Sequence, residues 1–195
     1  MCHALLRDAT LYEVLLKFDH DLAAEVRAAR CPCGGVLHSA RYPRKPRGGP
    51  DELGPEYRTR LSFCCAVDGC RRRVTPPSVR YLGRRVYLGT VVVLVTAMRA
   101  GLTPRRVTKL REGLGVSVRT LARWRQWWRA TFVVSPFWQG VKGRFVPPVD
   151  PRELPAALLD RFAGDDRRGR LVAVLRFLAP ITTRPAPGAS WMRGA

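Results

Sequence analysis

The chain has 195 residues, with 35 Lys+Arg against 15 Asp+Glu and a formal charge of +20. With 46% apolar residues it is too hydrophobic for a solvated basic tail, and its length suits one domain or two small ones. A compact domain this cationic repels itself until an anionic partner neutralises it. That ranks nucleic acid first, an anionic membrane surface second and an acidic protein third. Every basic residue except Lys17, Lys45, Lys109 and Lys142 is Arg. Arg carries a planar fork of donors that suits phosphates and guanine edges. A GC-rich genome also favours Arg codons, but codon bias does not account for the net charge.

The first ten residues lack a long apolar core and are interrupted by Arg7 and Asp8, so they do not read as an export signal. The most apolar stretch, 86–98, is 13 residues long, well short of the ~20 that cross a bilayer. It reads as a buried core helix. The expectation is a cytoplasmic protein with no membrane partner. Its clustered cysteines then belong to a reducing compartment, where they point to metal before disulfide.

In chain order, residues 1–30 read as an N-terminal helical segment, with Leu5, Leu6, Tyr12, Leu15, Phe18, Leu22 and Val26 near helical spacing. Residues 31–85 hold five of the six Cys and many Pro and Gly, with strand-like pieces at 36–42 and 57–64 around a loop at 43–55. Such a segment cannot build a large core and needs a staple. Residues 86–132 read as three helices, about 86–100, 104–113 and 118–132. Gly101 is placed to end the first, Thr103 and Pro104 to open the second and Ser117 to cap the third. Residues 133–179 read as a linker followed by short helices at 154–162 and 171–178, and 180–195 as a disordered tail. The expected fold class is α+β and mainly helical, a small zinc-ribbon-like β module followed by a helix-turn-helix bundle.

The chemistry begins at Cys31-Pro-Cys33-Gly-Gly and resumes at Cys64-Cys65-Ala-Val-Asp-Gly-Cys70. Four thiolates close a tetrahedral zinc site, and such sites fold ribbons that lack a core. The preferred ligands for one zinc are Cys31, Cys33, Cys65 and Cys70, with Cys64 and His38 as alternates. A ribbon knuckle usually has two residues between its cysteines; here one separates the first pair and four separate the second. The opposing reading is a set of buried, reduced cysteines without metal. Arg71, Arg72 and Arg73 follow directly, and Arg80, Arg84 and Arg85 come soon after. Residues 41–85 carry 12 basic residues against four acids, so these arginines are candidates to meet phosphates.

Residues 102–128 read LTPRRVTKLREGLGVSVRTLARWRQWW. A helix-turn-helix needs a capped first helix, a short turn often containing Gly, and a second helix with one apolar and one base-reading face. Val107 and Leu110 pack inward from the first helix, Leu114 and Val116 fill the turn, and Val118, Leu121, Ala122, Trp124 and Trp128 form the inner face of the second. Arg119, Thr120 and Arg123 then project toward bases, while Arg105, Arg106, Lys109, Arg125 and Arg129 suit phosphates. Residues 99–129 carry nine basic residues and one acid, Glu112. The alternative is a plain helical hairpin.

The order Cys-x-Cys-Gly-Gly, a second Cys cluster, CRRRVTPPSVRYLGRRVYLGTVVVL and GLTPRRVTKLREGLGVSVRTLARW resembles the N-terminal zinc-ribbon plus helix-turn-helix region of bacterial insertion-sequence transposases, over residues 31–128. The resemblance implies DNA binding, sequence-specific or semi-specific, by a transposition protein. Duplex DNA is its expected partner and a separate transposase subunit a second. The catalytic domain of those enzymes holds metals on three carboxylates. After Trp128 this chain offers Asp150, Glu153, Asp160, Asp165 and Asp166, on short helices or loops without the rigid sheet that two-metal chemistry needs. His3, His20 and His38 lie early, with no nucleophile motif beside them. The expectation is a binding protein and not an enzyme; the runner-up is an RNA-binding or scaffold protein built on the ribbon.

Overall fold

A computed structural model describes residues 2–50, 53–82, 87–98, 103–164 and 166–183. The fold is α+β: helices dominate, and two small antiparallel sheets carry the cysteine-rich segment.

The N-terminal helical segment is two helices, α1 (Cys2–Leu6) and α2 (Ala9–Ala28). The break falls at Arg7-Asp8 because Asp8 caps α2, its carboxylate accepting from the Leu11 N–H at 3.2 Å. Leu11, Tyr12, Leu15 and Ala23 are buried along one stripe of α2, and Asp19 is buried on the same stripe. An acid at a core position has to be paired.

Strands β1 (Leu37–Ser39), β4 (Phe63–Cys65) and β5 (Arg73–Val74) form a three-stranded sheet in the order β1-β4-β5. Leu37 faces Cys65 and His38 faces Cys64. Strands β2 (Tyr42–Pro43) and β3 (Thr59–Arg60) form a separate ribbon at the base of the proline-glycine loop. The strand-like pieces expected at 36–42 and 57–64 thus each split in two. β5 was not expected, because Arg71–Arg73 read as a charged run.

Helix α3 (Gly89–Thr96) is buried along its whole length, as its composition demands, and is shorter than the expected 86–100. Residues 86 and 99–102, Gly101 among them, lie outside the described residues. Helix α4 (Pro104–Leu114) follows, then α5 (Val118–Gln126), which runs on into a π-helical segment, Trp127–Phe132. Trp128 is fully buried and its indole N–H donates to Thr96 Oγ1 at 3.0 Å, tying this segment to the end of α3.

The expected linker is structured. Ser135 caps α6 (Pro136–Val141), which buries Trp138 5.2 Å from the Phe132 ring centroid. Helices α7 (Ala156–Arg161) and α8 (Arg167–Leu178) take the place of the two short helices expected there. Residues 180–183, expected as the start of a disordered tail, are instead packed onto the fold. Residues Ala179–Thr182 form a 3-10 turn, and the Thr182 hydroxyl accepts from the Ser78 N–H at 2.9 Å. Residues 184–195 lie outside the described residues.

Candidate metal centre and nucleic-acid interface

Two loops bring four sulfurs together. In the first, Gly34 takes φ +83°, and its N–H donates to the Cys31 carbonyl at 2.7 Å while the Cys31 N–H donates to Gly35 O at 3.0 Å. This tight turn lets Cys31 and Cys33 converge across a single residue. In the second, β4 turns into β5 through Gly69 at φ +82°, and the Cys70 N–H donates to Val67 O at 3.1 Å. The sulfurs of Cys31, Cys33, Cys65 and Cys70 all lie within 4.8 Å of one another. Cys31 and Cys70 are 3.8 Å apart, Cys33 and Cys65 3.5 Å. Zinc–thiolate bonds of ~2.3 Å in a tetrahedron set sulfurs about 3.8 Å apart. A disulfide would need ~2.0 Å, and all four cysteines are free. Four cysteines so placed can hold a metal ion.

Gly35 makes room for the cluster: a Cβ there would stand 2.7 Å from Cys65 Sγ and 2.6 Å from Val67 Cγ2. The Gly35 amide, with help from the neighbouring sulfurs, holds the Cys33 thiol down to about 7. The Val67 amide pulls Cys65 the same way, but burial and the sulfurs of Cys33, Cys31 and Cys70 outweigh it and push that thiol up to about 12. The Cys31 thiol is also raised; burial and the Cys33 and Cys70 sulfurs overcome a lowering hydrogen bond from the Cys33 amide. The two alternates point elsewhere. Cys64 is next to Cys65 on a strand, so its side chain takes the opposite face, with Sγ 3.5 Å from the Arg71 carbonyl. His38 pairs with Cys64 in the sheet and is exposed.

The helix-turn-helix candidate has the Ser117 cap expected of it, and its first helix starts after Thr103, at Pro104. The Thr103 carbonyl accepts from the Val107 N–H at 3.1 Å just ahead of Pro104. Gly115 ends α4 at φ +63°, its N–H reaching Arg111 O at 3.0 Å, a left-handed helix cap. Ser117 Oγ accepts from the Thr120 N–H at 3.2 Å and opens α5. Tyr87 fastens the turn, donating to the Gly115 carbonyl at 2.6 Å and packing edge-on against Trp124.

Val116, Leu121, Trp124 and Trp128 are buried as expected, and Val107, Leu110 and Leu114 are half-buried. Val118 and Ala122 are exposed instead, which narrows the inner face of α5 to Leu121 and Trp124. Arg119 and Arg123 are exposed on α5, and Arg105 and Lys109 on α4. Thr120 is half-buried and accepts from Arg123 at 3.3 Å. Arg125 turns inward and donates to the Met98 carbonyl at 3.3 Å beyond the end of α3. Arg129 is exposed. The Arg106 side chain lies outside what the structure describes. Near the cysteines, Arg71, Arg72 and Arg73 are exposed, and Arg71 pairs with Asp68 at 2.8 Å.

Arg80 is not a surface cation. It is fully buried; Nε pairs with Asp19 at 2.7 Å, and its other nitrogens donate to the carbonyls of Tyr57 at 2.8 Å and Thr59 at 3.0 Å. Asp19 also accepts from the Ser78 hydroxyl at 2.6 Å and the Val79 N–H at 2.7 Å. Arg60, also buried, donates to the Pro76 carbonyl at 2.6 Å. Charge counting misses this network. The signal was Asp19 itself, an acid on the apolar stripe of α2. Arg84, Arg85 and Arg99 lie outside the described residues.

Among the described residues, no other group of three or more His, Cys, Asp or Glu side chains is placed to share a metal ion. Asp150 and Asp166 cap helical turns, accepting from the Arg152 and Gly169 amides. Asp165 lies outside the described residues. No helix among the described residues is long and apolar enough to cross a membrane. The chain matches no protein-family model, no curated protein and no solved structure.

Proposed function

We propose that the chain binds duplex DNA through α4, the Gly115 turn and α5, as the DNA-binding part of a transposition protein related to insertion-sequence transposases. The observation that carries this reading is α5: Ser117 caps it, Leu121 and Trp124 anchor it inward, and Arg119 and Arg123 stand exposed one turn apart near its start. Residues near the start of a recognition helix are the ones that reach base edges. Arg105 and Lys109 on α4, Arg129 beyond α5 and Arg71–Arg73 on the ribbon supply phosphate contacts. Arg125 is withdrawn from that set, because its guanidinium is engaged with Met98.

The Cys31, Cys33, Cys65 and Cys70 cluster holds one zinc in a structural role. The donor set is all thiolate, with no position left open for substrate, which is the pattern of structural rather than catalytic zinc. The protein acts by binding and works in the cytoplasm beside a separate transposase subunit.

The test is equilibrium binding to mixed-sequence duplex DNA across a salt series. The logarithm of the affinity falls linearly with the logarithm of salt, by about 0.9 per phosphate neutralised. Arg119→Ala with Arg123→Ala weakens binding and reduces discrimination between sequences. Affinity indifferent to salt, or tighter binding to RNA than to duplex DNA at equal salt, overturns the reading.

A further inference from the structure

A groove of about 930 Å³ runs between the proline-glycine loop of the ribbon and the turn at Gly113–Gly115. Its described lining includes Arg44, Lys45, Arg47 and Arg58 and no carboxylate. Asp51 and Glu52 lie outside the described residues. Lys45, Arg47 and Arg58 are exposed. The sequence counts these four only within the basic block 41–85 and names none of them individually, because a loop rich in Pro and Gly reads as a connection.

The loop is built rather than slack. The Arg47 carbonyl accepts from the Leu88 N–H at 3.2 Å, fixing the loop to the start of α3. Gly48 takes φ +86° and lies so close to α3 that a Cβ would stand 2.7 Å from Val91 Cγ2. The Arg44 N–H donates to the Arg58 carbonyl at 2.6 Å, extending the β2–β3 ribbon and setting two arginines across from each other. The opposite wall is the turn that delivers α5, tied down by Tyr87. The basic groove therefore opens beside the start of the helix that carries Arg119 and Arg123.

We propose that this groove holds the sugar–phosphate backbone of the duplex flanking the segment read by α5. The proposal rests on the DNA-binding reading above and adds a contact that is independent of base sequence. Fixed cations at the mouth of a recognition helix position a duplex without reading it.

The test combines Lys45→Ala, Arg47→Ala and Arg58→Ala in the full chain. All three side chains are exposed, so metal content and melting temperature serve as folding controls. Binding is measured on a long mixed-sequence duplex and on a series shortened until the flank is gone. On the long duplex the triple variant loses about tenfold or more in affinity, evenly across sequences, and its salt slope flattens by about 2.7. On the shortest duplex still bound, variant and parent match. A triple variant that binds the long duplex like the parent overturns the groove and leaves the α5 reading intact. So does a variant that loses affinity only for single-stranded nucleic acid. A parent protein without salt-sensitive duplex binding removes the α5 reading, and the groove with it.

Discussion

The helical body and the cysteine-bearing sheet are held together by different physics. The body buries a continuous apolar cluster, from Leu11 and Leu15 through Val91–Val95, Trp124 and Trp128 to Leu171 and Leu178. The sheet has a cluster of six buried residues, Ala23, Cys31, Leu37, Leu61, Phe63 and Cys65, two of which are cysteines of the candidate centre. Burial at ~25 cal/mol per Å² sustains the first, while so few side chains fall short of the entropy cost of ordering the second. A metal on Cys31, Cys33, Cys65 and Cys70 would be the staple that makes up the difference. The lesson is that one continuous chain carries two sources of order, joined by α2, which gives Leu11, Tyr12 and Leu15 to the first cluster and Ala23 to the second.

Metal loss is the most severe way to break this comparison. Structural zinc in small fingers contributes ~10–16 kcal/mol of apparent binding energy, and that energy is folding energy. Cys65→Ser is expected to abolish metal binding and melt β1, β4 and β5, while helical circular dichroism is largely kept. Cys64→Ser is expected to retain metal, since that sulfur faces the Arg71 carbonyl. Metal analysis of the purified variants checks both.

Asp19→Asn comes next. It leaves the Arg80 guanidinium buried and unpaired, which costs about 3–5 kcal/mol. Both regions are expected to lose stability together, because Asp19 lies on α2 between Leu15 of the body's cluster and Ala23 of the sheet's, and its partner Arg80 holds Tyr57 and, on β3, Thr59. Urea unfolding followed by tryptophan fluorescence and by metal release reads the two regions separately. Trp128→Ala sharpens the contrast. It costs about 3–5 kcal/mol in the body alone, with metal content unchanged.

The centre should also respond to pH. Without metal, Cys33 titrates near 7, whereas Cys65 and Cys31 sit higher and are protonated at neutral pH. Metal binding therefore expels protons, and acidification favours the competing protons. Metal affinity is expected to fall as pH falls, about tenfold per pH unit for each proton displaced. A chelator competition series at several pH values measures it. The smallest expected effect is Ser117→Ala, which removes the α5 cap at a cost of about 1 kcal/mol. It should lower the melting temperature of the body and leave metal content alone.

Much of this was legible in the sequence, for identifiable reasons. The four cysteines and their glycines could be read because metal geometry restricts residue type and spacing so strongly. The α4–turn–α5 unit could be read because caps are local. What escaped depended on tertiary partners. Arg60 and Arg80 look like surface cations until Asp19 and the carbonyls around them are in place. Arg125 looks like a phosphate contact until α3 ends beside it. The segment 133–151 reads as a linker because Phe137 and Phe145 find their partners on distant elements, Phe177 of α8 and Phe162 after α7. Residues 180–183 read as tail because nothing local announces that Thr182 meets Ser78. Val118 and Ala122 were assigned inward by helical periodicity, which cannot tell how much of a helix face its neighbours cover.

The most direct test of the two-source account is hydrogen exchange on the full chain loaded with zinc, before and after a chelator is added. The account predicts that amides of β1, β4 and β5 lose protection on chelation while those of α3, α5 and α8 keep theirs. Unchanged protection throughout, or loss throughout in a single step, would contradict it.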